Sequence, residues 1–154
     1  MKQTLAKYKN TYQNLPHLSE MKKLWHHGYW DGAVSGVCEV DGKKCWFGLI
    51  EDYFENNGAP EDASADWDPP WYRRFLIVQL TAEQFKEIEK RHNKFRRMVG
   101  THTDYDDQGH RGSFHYTDTI TQETFDTFYR EAKTEVPFDF EADSDAYVLG
   151  WVEI

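Results

Sequence analysis

The stretch best equipped for chemistry runs from residue 101 to 118, Thr-His-Thr-Asp-Tyr-Asp-Asp-Gln-Gly-His-Arg-Gly-Ser-Phe-His-Tyr-Thr-Asp, and holds three of the seven histidines and four aspartates. Imidazole and carboxylate are the donor types of a transition-metal site, and a metal held by them lowers the pKa of bound water. His102, Asp104, His110 and His115 are therefore the candidate ligands of a metal-assisted hydrolase or phosphoesterase built on segment 102–118. Their spacing matches no helical or knuckle motif that would preorganise them. Asp104-x-Asp106-x-Gln108-Gly109 echoes the opening of a calcium loop, but the twelfth position is His115, which lacks the bidentate carboxylate such a loop needs. The competing expectation is a polar loop whose Asp and Thr side chains close its own turns.

A second group of candidates is aromatic. Six tryptophans are many for a chain of 154 residues. Trp67 and Trp71 flank an acidic, proline-containing loop, and Trp46, Trp71 and Arg73 are candidate walls of a small-ligand pocket. Aromatics beside charges are also the anchors of protein interfaces. His92 lies on the apolar stripe of an expected helix, where a half-buried packing role competes with a binding one. His26 and His27 are adjacent, and neighbours on a regular element diverge, which argues against their sharing a site. The basic row Lys86, Lys90, Lys94 and Arg97, with Arg73, Arg74 and Arg96, is either a solvated face or a receiver of an anion, and Glu87 and Arg91 are spaced for a surface pair.

Other motifs are silent. His17-Leu18-Ser19 and His115-Tyr116-Thr117 each resemble the His-x-Ser/Thr element found twice in two-histidine phosphoesterases. Seven histidines among sixteen Ser and Thr residues in a chain of 154 give about 0.7 such matches by chance, so two are not unusual, and His17 follows Pro16 instead of lying in a strand. No nucleophile elbow, phosphate loop, dinucleotide fingerprint or His-Glu-x-x-His stands in the sequence, and no spacing implies a cofactor. Cys38 and Cys45 are expected to face each other as small buried thiols.

Charge narrows the partners. The net charge is -9, and residues 101–154 carry thirteen acidic side chains against three basic ones. Such a chain repels a phosphate backbone, which excludes general nucleic-acid binding. It favours a protein partner with a basic surface, so the leading expectation is a small, acidic, non-enzymatic binding protein. Immunity proteins and phage-type inhibitors are analogous in charge and size, which points to a bacterial or phage-like setting. No segment approaches the roughly 18 apolar residues of a membrane span, and the N-terminus lacks a signal-peptide core, so a cytoplasmic location without membrane association is expected.

The elements that must position these groups read as a single α+β domain over 1–154 with a mainly antiparallel sheet. Asp41-Gly42 predicts a two-residue turn in a hairpin over 33–50, with Val37, Cys38 and Glu39 facing Trp46, Cys45 and Lys44. The face bearing Val34, Cys38, Val40, Cys45, Phe47 and Leu49 is expected to line the core. Further strands are predicted near 73–80, 114–117 and 147–153. Thr81-Ala-Glu-Gln84 is a capping box opening a helix over 82–99, and a second helix is expected over 122–132. Leu5, Tyr8, Tyr12 and Leu15 share one face of a short N-terminal helix. A brief helical turn capped by Ser19, with Leu18, Met21, Leu24 and Trp25 on its apolar side, is expected to stop at Gly28.

Overall fold

The computed structural model describes residues 2–54, 59–68, 71–132 and 147–154. Five strands form one antiparallel sheet in chain order: β1 (Lys22–Tyr29), β2 (Ala33–Val40), β3 (Lys43–Phe54), β4 (Trp71–Gln79) and β5 (Val148–Glu153). Helices α1 (Lys2–Tyr8), α2 (Ala82–Met98) and α3 (Gln122–Glu131) complete the α+β fold. The acidic run containing Asp139, Glu141, Asp143 and Asp145 lies outside the described residues.

The β2–β3 hairpin turns at Asp41 and Gly42, with φ of 48° and 75°. Two consecutive left-handed residues make a type I′ turn, whose twist matches that of the flanking strands and whose second position favours glycine. The register is the expected one, with Val37, Cys38 and Glu39 opposite Trp46, Cys45 and Lys44. Alternation then splits the apolar residues between two faces. Val37, Trp46 and Ile50 join Leu76 and Val78 on the face that Leu5 and Tyr8 of α1 and Ile88 and Phe85 of α2 cover. Cys38, Val40, Cys45 and Phe47 join Phe75, Ile77 and Val152 on the other, where Leu18, Met21 and Tyr105 pack. The expectation of one core face is thus corrected: both faces are buried, and the helices cover the one assigned to the outside. Both cysteines are free and buried.

Helix α2 begins as its capping box dictates: Gln84 N–H donates to Thr81 Oγ1 at 3.1 Å and Thr81 N–H donates to Gln84 Oε1 at 2.9 Å. Its buried residues Ile88, His92 and Phe95 recur at spacings of four and three, one stripe of a helix. Phe95 and Val99 pack with Phe128, which attaches α3 to α2.

Three sequence expectations fail. The brief helical turn at Ser19–Gly28 is strand β1. Pairing with β2 skips a residue at Leu24 and again at His27, since Lys23 faces Cys38 and Trp25 faces Val37, while His26 faces Gly36 and Gly28 faces Ser35. Two extra residues scramble the alternation, so a bulged strand imitates helical spacing. The strand near 114–117 is absent: residues 112–117 join no strand, Gly112 N–H donating instead to Asp104 O and Thr117 N–H to Ile120 O, while Thr103–Tyr105 occupies the free edge of β1. There His26 N–H donates to Thr103 O at 3.1 Å and Tyr105 N–H donates to Leu24 O at 3.0 Å. The N-terminal helix stops at Tyr8, and Tyr12 enters the core from a separate turn over Tyr12–Asn14.

Candidate functional site

A concave pocket of about 230 Å³ opens where the edge of β1, the Thr101–Asp104 loop, α2 and α3 meet. Four of the seven histidines line it, His26, His27, His92 and His102, with Arg91 and Tyr129; Phe95 and Phe128 form apolar wall. Both adjacent histidines line it, although their rings diverge as neighbours on a strand do: His27 packs on Trp46 and His92, and His26 on Tyr29 and Tyr105. The expectation that His26 and His27 share no site is corrected, since a pocket at the edge of β1 reaches both.

Hydrogen bonds orient three of the four rings, those of His26, His27 and His92. Trp25 Nε1–H donates to His27 Nε2 at 3.1 Å. An indole can only donate, so His27 Nε2 is an acceptor and the ring's single proton sits on Nδ1. His92 Nε2–H donates to Asp104 Oδ1 at 2.7 Å, and Arg96 grips the same carboxylate through Nε at 2.9 Å and Nη2 at 3.0 Å. His92 also stacks flat on Trp25, with ring centroids 4.3 Å apart and planes inclined by 4°. His26 Nδ1 lies 3.2 Å from the Tyr105 hydroxyl. His102 Nδ1 and Thr103 Oγ1 are buried with no hydrogen-bond partner among the described residues.

Burial keeps the imidazoles neutral, because removing water disfavours the charged ring. Desolvation, reinforced by Arg91 and His92, pushes His27 down to about 3. Desolvation, then Arg111 and His102, pushes His26 down to about 4. His102 is lowered by burial and by Arg111. In His92 burial outweighs the opposing pull of Asp104. Burial raises Asp104, but the hydrogen bonds from His92 and Arg96 prevail and hold it below the usual carboxylate range. The site is thus a set of neutral, oriented rings beside one ion pair. Any proton relay by His92 would run through Nδ1, since Nε2 is committed to Asp104.

The candidate residues scatter. Of the metal set, His102 lines the pocket and Asp104 braces His92, while His110 pairs with Asp106 at 3.8 Å on the surface and His115 is exposed. Among the described residues no three His, Cys, Asp or Glu side chains group for a metal ion. Asp106 instead closes its own loop, accepting from the backbone N–H of Gln108 and His110. Trp46 is buried in the core opposite Val78, whereas Trp71 stands opposite Phe54 at the far end of the same strand pair. Seven residues of strand separate them, about 23 Å, so Trp46, Trp71 and Arg73 line no common pocket. The Arg73 guanidinium lies over the Trp71 ring, 4.2 Å from its centroid. Trp67 is half-buried, its N–H donating to Ser64 O. Of Trp46, Trp67, Trp71, Arg73 and His92, only His92 lines the pocket. Arg91 and Tyr129 were missed; that Arg91 adjoins His92 was visible, but not which way it points.

Comparison with known proteins finds no matching family model, no matching curated protein and no matching solved structure.

Proposed function

We propose that this chain is a small-molecule-binding domain whose site is the four-histidine pocket. The observation that carries the reading is the convergence of His26, His27, His92 and His102 on one cavity, with buried polar atoms beside it. Orienting neutral imidazoles by an indole, a phenol and a braced carboxylate costs burial free energy that an apolar core would not incur. Such arrangements concentrate at binding and catalytic sites. The volume suits a compact ligand, since a cavity of about 150 Å³ already holds a benzene ring.

The test is a panel of small polar and aromatic molecules, followed through the imidazole resonances of all seven histidines. A pocket ligand moves those of His26, His27, His92 and His102 together and leaves the exposed His110 and His115 in place. Compounds that shift only the exposed pair, or a panel that shifts none, would remove this reading.

A second reading retains a protein partner with a basic surface. It is favoured by Tyr29, Trp30 and Trp71, which are 46%, 75% and 39% exposed at one end of the sheet. Asp52 accepts from the Trp71 indole and pairs with Arg73 at 3.5 Å, which fixes that ring. Aromatic anchors on a chain of charge -9 are complementary to a cationic surface.

A further inference from the structure

Cys38 and Cys45 stand directly opposite each other in the β2–β3 hairpin, both free and fully buried. Leu80 N–H donates to Lys44 O at 2.9 Å, so Lys44 turns its peptide groups toward β4 and Cys45, one residue on, turns its own toward β2. The cysteines are therefore a hydrogen-bonded pair, whose Cα atoms lie about 5.5 Å apart. That separation falls inside the roughly 4.4–6.8 Å span of a disulfide, and both side chains leave the sheet on one face. Their sulfurs are already within hydrogen-bond reach. The Cys38 thiol donates to Cys45, which pushes Cys38 up and draws Cys45 down toward the thiolate. The cover over this face is thin: Leu18, Met21 and Tyr105, all half-buried, pack on the cluster that holds both thiols, whereas helices cover the other face. Met21 and Val40 of this cluster also line a surface cleft of about 530 Å³. An open cleft thus reaches the side chains that pack around the pair.

We propose that Cys38 and Cys45 are a redox-modification site, which a low-molecular-weight disulfide oxidises to an intramolecular Cys38–Cys45 linkage. The Cys45 thiolate attacks one sulfur of the reagent RSSR, forming a mixed disulfide and expelling a thiolate that takes up a proton as RSH. Cys38 then gives up its proton to solvent and attacks the Cys45 sulfur, which closes the linkage across the strands and expels the second RSH. Two protein thiols are oxidised, and one disulfide is reduced to two thiols. The Cβ atoms of such a strand pair stand about 5.5 Å apart, beyond the roughly 3.5–4.5 Å that a disulfide prefers. Closure strains the strands, so the linkage is readily reduced again.

The experiment treats the folded full chain with hydroxyethyl disulfide at neutral pH, quenches with acid, and reads intact mass and free thiols. The expected product is a monomer lighter by two hydrogens that has lost both thiols together. Trypsin cuts after Lys43 and Lys44, between the two cysteines, so the peptides carrying them should stay joined until a reductant is added. Cys38→Ala should stop at the mixed disulfide on Cys45. Cys45→Ala should react at least about tenfold more slowly, since the remaining thiol is buried among apolar side chains that keep it protonated. Under conditions in which the urea-unfolded chain loses both thiols, a folded chain that keeps them, or loses them no faster than it unfolds, overturns the proposal. So does a mixed disulfide that persists on the unaltered chain without closing, or a disulfide-linked dimer as the main product. Mass and thiol count of the unaltered chain decide the matter even where a variant fails to fold.

Discussion

At the scale of single residues, the unusual feature is how many imidazoles are kept neutral. A histidine whose folded pKa is depressed binds fewer protons folded than unfolded across the interval between the two values. Its contribution to stability is therefore complete above the unfolded pKa and is lost as pH falls. For His26 and His27 the ordinary value is 6.5 and the folded values are about 4 and about 3. Unfolding free energy should hence decline steadily as pH drops from about 7 toward 4. The other charged or titratable groups around these rings are Lys23, Arg91, Arg111, His92, His102 and Asp104, and the depressed pKa of Asp104 adds a loss of the same sign at the acid end. Urea denaturation at closely spaced pH values measures the slope. His27→Gln should flatten it by roughly one proton's worth, and an unchanged slope would show that His27 is not held neutral. Such residues were legible by type, and His92 was legible by its place on a helical stripe. Their neutrality was not, since desolvation depends on what packs above them.

Among elements, β1 is decisive because it carries two of the four pocket histidines. Gly36 of β2 allows it to lie close: a Cβ there would come 2.2 Å from the carbonyl oxygen of Trp25 and 2.7 Å from the Cα of His26. Real Cβ atoms do not approach backbone so closely, so Gly36→Ala must push β1 away from β2. The expected cost is about 1–3 kcal/mol, the range for overpacking a filled interior. The same change should displace His26 and His27, so ligand-induced shifts of those two resonances should fall more than those of His92. Equal losses at all three would mean that β1 does not set the pocket's geometry. The hairpin and α2 were readable because a left-handed dipeptide and a capping box are satisfied within a few residues. The bulged strand and the placing of 112–117 outside the sheet were not. Each depends on a partner elsewhere in the chain, β2 in one case and the occupied edge of β1 in the other.

For the whole molecule the question is how a chain of charge -9 meets other molecules. If the exposed end at Tyr29, Trp30 and Trp71 engages a basic partner, association should weaken as salt screens the charges, over a Debye length of about 10 Å at 0.1 M. Trp30→Ala should weaken such a complex by about tenfold or more, the scale of a buried aromatic anchor. Affinity capture at 50 and 500 mM salt, with and without the substitution, measures both effects. Retention that ignores salt and Trp30 alike would count against this surface. Among the described residues no helix is long and apolar enough to cross a membrane.

The hairpin register and the start of α2 rest on interactions between residues close in sequence, and for that reason the amino-acid order alone was enough to establish them, while the α+β class followed from the pattern of elements although β4 and β5 pair from distant parts of the chain. The acidic balance likewise needs only counting. Which histidines meet is a different kind of fact. His26, His27, His92 and His102 come from a bulged edge strand, a helix and a loop, and their convergence follows from the packing of α2 over the sheet and of Thr103–Tyr105 against β1. The loop richest in donors kept two of them at the pocket and turned His110 and His115 to the surface, because its own backbone used Asp106 to close the turn. Donor chemistry is written residue by residue, but a site exists only where long-range packing makes those residues neighbours.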